Sequence, residues 1–503
     1  MRWSRIGALI LLEFGLAASA VAASLADAAE QRDQASVRTL LEGGIDVNTA
    51  QVDGTTALHW AAYHDDAEMV ALLVGAGADV NAVNRYGVPS LVEACTNGNA
   101  TILKLLLEAG ADANTTMKGG ETVLMLAARS GNVAAVKELL ARGAAPNARE
   151  RLGQTALMWA AAEGHAAVVR ALIEAGANLN ASIDSGFTAF FFAVREGRLD
   201  AVREFLAAGV NVNAMTQGTD GRRRSRTTSP LLLAVQNAHY ELAVALVDAG
   251  ADPNDVRTGF TPLHIIPGVR KPDSSDGSDG APPRGAGELS SVDFVREIVK
   301  RGANVNFRLP KGTRKLPSTS SQIATEGATP LLFAADRSDV LLIRLLLELS
   351  ADPFRPNFNK TTPLLAAAGV GTLEPQEEAG EESESLEAVR LFLDLGADIN
   401  AVDNNGDTAM HGATYSMYPL VVKLLAERGA DPQVWKNPNK FGRTPLFIAE
   451  GHSGRLLRPH GPTIDAITKL MVAAGISTEG ERPEIVDIYQ KTVEPPKPSA
   501  STK

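Results

Sequence analysis

Along most of the chain apolar residues recur three and four positions apart, in short runs broken by Gly, Asn and Asp. VAAVKELLARG at 133–143 is typical, and this spacing predicts a short amphipathic helix. Each such helix follows a shorter apolar run that opens on Thr, Ser or Pro, and the pairing repeats. Thr56, Pro89, Thr122, Thr155 and Thr188 stand 33 residues apart, and each leads two positions later into Leu58, Leu91, Leu124, Leu157 or Phe190. The opening returns less regularly at Ser229, Thr261, Thr329, Thr362, Thr408 and Thr444. A second anchor accompanies it: GADVN at 77–81, GADAN at 110–114, GAAPN at 143–147, GANLN at 176–180, GADPN at 250–254, GANVN at 302–306 and GADIN at 396–400.

The physics of one unit follows from these residues. A Thr hydroxyl accepts from an orphan N–H at a helix start. Pro in the next position, as at Pro262, Pro330, Pro363 and Pro445, costs nothing because that N–H has no helical partner. A turn with Gly or Asn (SGN at 130–132, EGH at 163–165) leads to the second helix, which ends at a Gly able to take left-handed backbone. Ser350 replaces that Gly once, which predicts a strained helix end. Helices this short cannot bury their own apolar faces, so stability must come from stacked neighbours.

TALHWAA at 56–62, TPLHI at 261–265, TPLLFAA at 329–335 and TAMHGA at 408–413, with the Gly-Ala-Asp anchors, resemble the ankyrin repeat. The resemblance covers roughly 24–478. It implies an all-α solenoid of about twelve helix-turn-helix units with β-hairpin finger loops and a concave face formed by first helices and fingers. It also implies that His59, His264 and His411 hydrogen-bond between loops. Residues 23–53 read as a capping repeat, 54–217 as regular repeats and 230–478 as repeats with insertions.

Interruptions of the period are the individual part of the sequence. They fall at 218–229, 267–288, 308–327 and 372–385, and their Pro, Gly and Ser content predicts loops. By their position, the first and third belong to fingers and the other two lie between paired helices. The finger insertions carry Arg222, Arg223, Arg224 and Arg226, then Arg308, Lys311, Arg314 and Lys315. The insertion at 372–385 carries Glu374, Glu377, Glu378, Glu381, Glu382 and Glu384. Basic clusters suit an acidic partner; solvated loops kept soluble by charge are the other reading.

Composition narrows the classes. The chain has 503 residues, 5% aromatic, with a net charge of −11, which argues against nucleic acid as partner. A single Cys rules out a disulfide framework or a Cys-based metal cluster, and Cys95 in SLVEACTNG reads as a buried thiol. Residues 1–22 have the basic start, apolar stretch and small residues of a secretory signal, with Ala20 or Ala22 as cleavage point. Glu13 inside the apolar stretch departs from that pattern and keeps an uncleaved anchor or a misplaced start open. The expectation is an exported protein, periplasmic or secreted, monomeric, with no membrane span after signal removal and a disordered tail at 479–503.

No catalytic signature appears: no HExxH, phosphate loop, GxSxG elbow or Cys/His metal spacing. The sequence therefore predicts neither an enzyme nor a cofactor. The residue two after each repeat Leu or Phe should line the concave face, and there Trp60, Trp159 and Phe192 stand out. Binding energy at interfaces concentrates in Trp, Tyr and Arg. The candidate partner-binding patch is Trp60, Tyr63, His64, Tyr86, Arg129, Trp159, Phe192 and Arg195, extended by Arg222, Arg223, Arg224 and Arg226. Half-buried packing between first helices is the alternative for the aromatic positions. The expected function is a scaffold, inhibitor or protective adaptor that binds an unidentified protein outside the cytoplasm; the runner-up is a host-directed or cell-surface effector whose basic fingers engage an anionic partner.

Overall fold

The computed structural model describes residues 24–216, 227–274, 281–313, 321–373, 379–451 and 458–479. The candidate signal, the Arg222, Arg223, Arg224 and Arg226 cluster, Arg314, Lys315, Glu374, Glu377, Glu378 and the tail beyond Glu479 lie outside them. The chain divides into two compact units, 1–210 and 211–503.

In the first unit the helices are α1 (Leu25–Glu30), α2 (Gln34–Glu42), α3 (Ala57–Tyr63), α4 (Ala67–Gly75), α5 (Ser90–Asn97) and α6 (Ala100–Glu108). They continue with α7 (Val123–Ser130), α8 (Val133–Ala141), α9 (Ala156–Glu163), α10 (Ala166–Glu174), α11 (Ala189–Arg195) and α12 (Leu199–Ala207). First helices pack in a row, α1 on α3, α3 on α5 and so to α11; second helices α4 to α12 make a parallel row. Most of the Thr caps form as the sequence predicts, the Thr122 hydroxyl accepting from the Met125 N–H at 3.2 Å, whereas Thr56 and Thr261 turn their hydroxyls to His59 and His264 and Thr188 makes no such bond. The atypical first helix starts on a capping box, Ser24 with Asp27.

The repeated Asn of the second anchor ties each repeat to the next. Asn114 Nδ2 donates to the Gly143 carbonyl at 3.1 Å, and its Oδ1 accepts from the Ala145 N–H at 2.9 Å. Asn81, Asn213, Asn254 and Asn306 do the same one repeat on. The glycine that opens such an anchor is conformational rather than spatial. Gly110 has φ +97°, yet a Cβ there would meet nothing within 4 Å. Ser350 takes the same backbone at φ +70°, where a side chain is unfavourable.

The expected β-hairpin fingers are shorter than hairpins. No strand forms among the described residues; four finger turns are closed by single antiparallel bridges, such as Ala50 with Thr56. The reason is length. Gly54, at φ +84°, reverses the chain so soon that only the Gln51 and Thr55 backbones meet inside the bridge.

In the second unit the helices are α13 (Pro230–Gln236), α14 (Tyr240–Asp248), α15 (Pro262–Arg270), α16 (Ser291–Lys300), α17 (Pro330–Asp336), α18 (Val340–Glu348) and α19 (Pro363–Ala367). After them come α20 (Glu382–Asp394), α21 (Ala409–Tyr415), α22 (Pro419–Glu427), α23 (Pro432–Trp435), α24 (Pro445–Ala449) and α25 (Gly461–Ala473). First helices again form a row, α13, α15, α17, α19, α21 and α24.

Two insertions are less loop-like than their composition predicts. Helix α15 runs on through Pro267 to Arg270. The acidic run at 372–385 ends as the first turn of α20, where Glu381 and Glu384 form a capping box and carboxylates oppose the positive helix end. The turn between α17 and α18 collects the insertions. Arg337 pairs with Asp273 at 2.7 Å, both side chains at most 5% exposed. Arg270 makes two bonds to Asp339, at 2.7 and 3.2 Å. The Ala379 N–H reaches Asp273, Lys271 reaches Glu384, and Ser321 donates to Asp336 at 2.8 Å. Parts of three insertions thus close over one inter-helix turn.

Candidate functional site

The predicted patch lies on the first-helix row of the first unit and the turns beside it. Trp60, on α3, is half-buried and its Nε1 donates to Gln51 Oε1 at 2.9 Å. Its ring stacks on His64 at 5.7 Å and meets Tyr63 edge-on at 5.7 Å. His64 is anchored through Nε2 to the Glu30 carbonyl at 2.8 Å, while Arg32 lies 3.1 Å from Nδ1. Tyr63 remains 56% exposed and Tyr86, under the Arg85 guanidinium, 59%.

Three repeats further on, Trp159 of α9 repeats the arrangement. Its Nε1 donates to Gln154 Oε1 at 3.0 Å, and Arg129 from α7 lies over its ring at 5.1 Å. Arg195 of α11 sits over Phe192 at 5.0 Å and over Phe187 at 5.7 Å, and pairs with Glu196 at 2.8 Å. Between the two guanidiniums is a slot of about 240 Å³, floored by Met158, Trp159 and Phe192 and edged by Gln154 and Glu163. A cation over an aromatic face contributes about 0.5–1 kcal/mol at exposed sites and fixes the guanidinium plane.

Phe192 differs from its neighbours in the patch. It is only 5% exposed, because α9 and α11 close on it, so its ring forms the floor under Arg195 rather than a projecting contact. Trp60 and Trp159 are half-buried, each keeping a rim at the surface. The patch falls into two clusters, Trp60 with Tyr63 and His64, and Arg129 with Trp159, Phe192 and Arg195. Tyr86 stands on the finger turn 84–87, apart from both in its contacts. Sequence reasoning missed Gln51, Gln154 and Phe187. Gln154 had a signal: it directly precedes the Thr155 cap and so sits at the base of a finger.

The repeat histidines do structural work. His59 Nδ1 lies 2.8 Å from the Thr56 hydroxyl and Nε2 lies 2.9 Å from the Val88 carbonyl in the next finger. His264 bridges Thr261 and the Ala328 carbonyl in the same way. Burial pushes His264 and His411 down to about 4, so both are neutral at neutral pH. Cys95 is buried, and desolvation raises its thiol to about 12, far from a reactive thiolate. Among the described residues no cluster of three metal-ligating side chains occurs, and no helix is long and apolar enough to cross a membrane.

Rows of paired helices tied by side-chain bonds between turns, presenting clamped aromatic and Arg side chains along one row, define a helical-repeat binding scaffold. The family profile described as Ankyrin repeats (3 copies) matches residues 25–117, 124–216 and 378–467, and that described as Ankyrin repeat matches 228–257. The chain belongs to the ankyrin-repeat family, and is by that membership a protein–protein interaction module. It is similar to the Ankyrin repeat and LEM domain-containing protein 1 homolog of Caenorhabditis elegans, 38% identical over 16% of this chain and 11% of that protein. Neurogenic locus notch homolog protein 1 of Xenopus tropicalis is 33% identical over 25% of the chain and 5% of its own length. SH3 and multiple ankyrin repeat domains protein 2 of Homo sapiens is 28% identical over 43% and 11%. The chain thus spans about a tenth or less of these relatives.

Proposed function

We propose that this chain is an exported, non-enzymatic binding protein of about twelve repeat units that recognises one protein partner through the first-helix row of its first unit. It acts outside the cytoplasm, as a monomer, as a scaffold, inhibitor or protective adaptor. The observation that carries this reading is the slot between Arg129 and Arg195, whose guanidiniums are held over aromatic rings before any partner arrives. Pre-ordered side chains lower the entropic cost of association, and Arg and Trp are the residues that dominate interface energy. Export rests on the pattern of residues 1–22.

Crosslinking in the cells that make the protein, followed by mass spectrometry, tests the reading. One partner should be recovered by the wild type and lost by the Arg129→Ala, Trp159→Ala double variant. Equal recovery by both would remove the first unit from the function. Capture that collapses steeply as salt rises would favour the anionic-partner alternative instead.

A further inference from the structure

The second unit holds a cavity of about 420 Å³ that the repeat architecture does not require. Its volume is in the range of small-molecule sites. The finger turns supply Asn359, Asp403, Asp407, Lys440, Phe441 and Arg443. The remaining wall is made by residues 322–324, from the insertion at 308–327, and by 370–373 after α19. These segments are fitted to each other. The Gln322 N–H donates to the Gly371 carbonyl at 2.8 Å, and Ile323 is buried. Gly371, at φ +105°, comes so close that a Cβ would lie 2.6 Å from Ile323.

Inside, the polar groups are ordered without a ligand. Asp403 accepts from the Asn405 N–H at 2.7 Å, the Asp407 N–H at 3.0 Å, Asn359 Nδ2 at 3.0 Å and the Thr361 hydroxyl at 3.3 Å. Asp407 accepts from Asn439 Nδ2 at 2.7 Å, which also donates to the Tyr415 hydroxyl at 2.9 Å. Burial raises the pKa of both carboxyls, so each is a negative charge poorly served by solvent. Lys440 and Arg443 flank the 58%-exposed Phe441 ring, at 5.1 and 5.3 Å from its centre. Among the described residues these two cations form no ion pair within 4 Å with either carboxylate, and they act on Asp407 only through space.

We infer that this cavity binds a small zwitterion of the α-amino acid or dipeptide class, with its ammonium at Asp407, its carboxylate at Lys440 and Arg443, and its apolar part against Ile323 and Val370. Charges of both signs line one cavity without neutralising each other by contact. A simple anion or cation would satisfy one end and be repelled by the other, whereas a zwitterion makes a charge-assisted hydrogen bond at each. Asp403 already takes four donors, which leaves Asp407 as the acceptor for the ammonium.

Isothermal titration of the full chain with leucine and with the dipeptide Ala-Leu tests this, alongside N-acetyl-leucine and leucinamide, which lack one charge each. Binding of leucine or Ala-Leu is expected, with loss of about tenfold or more in affinity for leucine on capping either end. Arg443→Gln and Lys440→Gln should weaken binding similarly while leaving the melting temperature in place; Asp407→Asn should remove discrimination against N-acetyl-leucine. No heat with either zwitterion, equal binding of the capped compounds, or unchanged binding by the Arg443 and Lys440 variants would each overturn the inference. The Trp159→Ala variant should bind the zwitterion normally, so this result stands or falls apart from the first unit's role.

Discussion

The two units are built from the same helix pair but finish its inter-helix turn differently. In the first unit the left-handed residue of that turn is Arg32 and Asp65 in the first two repeats and Gly98, Gly131, Gly164 and Gly197 in the next four, and nothing is inserted there. In the second unit Ala238, Ser338 and Met417 take positive φ, and the turn of Asp336 to Asp339 is covered by segments from three insertions. The first unit therefore owes its stability to a repeated contact between neighbours. The second adds buried charge contacts between residues far apart in sequence, such as Asp273 and Arg337. A regular stack can vary one exposed row for binding without cost to the others; a stack clasped by insertions couples its turns to one another.

The largest effect should come from breaking that clasp. Arg337→Ala leaves Asp273 buried without its guanidinium, and removing one partner of a buried pair costs about 3–5 kcal/mol. Hydrogen exchange should accelerate around 270–274, 336–339 and 379–384 and stay unchanged in residues 24–210. If exchange rose equally in both units, the clasp would not be a local feature of the second.

Acid should sharpen the contrast. Unfolded His binds a proton below about 6.5, but His264 and His411 resist until about 4, so their stabilising contribution is present above 6.5 and is lost as pH falls. Asp336, raised to about 6 by burial, works the other way and gains stability between 6 and 3.8. Burial raises Asp403 and Asp407 as well, so the carboxyls offset part of the loss; each histidine by itself contributes a loss of about 2 kcal/mol from pH 7 to 5. Guanidinium midpoints at the two pH values check this. The His264→Gln variant should lose about 2 kcal/mol less than the wild type between the two pH values; an equal loss would show that another group sets it.

Next comes the Asn tie of the regular stack. Asn114→Ala loses two hydrogen bonds to the following repeat, worth about 2 kcal/mol together. Its effect should be seen as faster exchange on both sides of residue 114. The smallest change is a gain: Ser350→Gly should relieve left-handed strain and stabilise the second unit by about 1 kcal/mol, read from its unfolding midpoint.

Much of the fold was legible because the period is carried by residues with fixed jobs. Thr caps, Pro at first positions, left-handed Gly and bridging Asn each have one role, and each recurs in register. The buried thiol of Cys95 and the loop-bridging His59 and His264 were legible for the same reason, whereas His411 bonds its own Thr408 and, among the described residues, its Nε2 meets no acceptor in the next loop. What escaped the sequence was long-range. Composition suggested loops for the insertions, and nothing local announces that Asp273 will meet Arg337 or that Ile323 will close a cavity beside Asp407. The binding patch was half legible: spacing brought Arg129, Trp159 and Arg195 to one row, but burial of Phe192 depends on how α9 and α11 close. The fingers were over-read, since family likeness implied hairpins where the Gly tip leaves room for a single bridge.

The central claim is that the partner docks on the first unit's helix row. A photo-crosslinking residue placed at Arg129, and in a separate variant at the exposed Lys423 of the second unit, tests it in the cells that make the protein. The account predicts a single protein adduct from position 129 and none from 423. Adducts of equal yield from both positions, or an adduct from 423 alone, would contradict it.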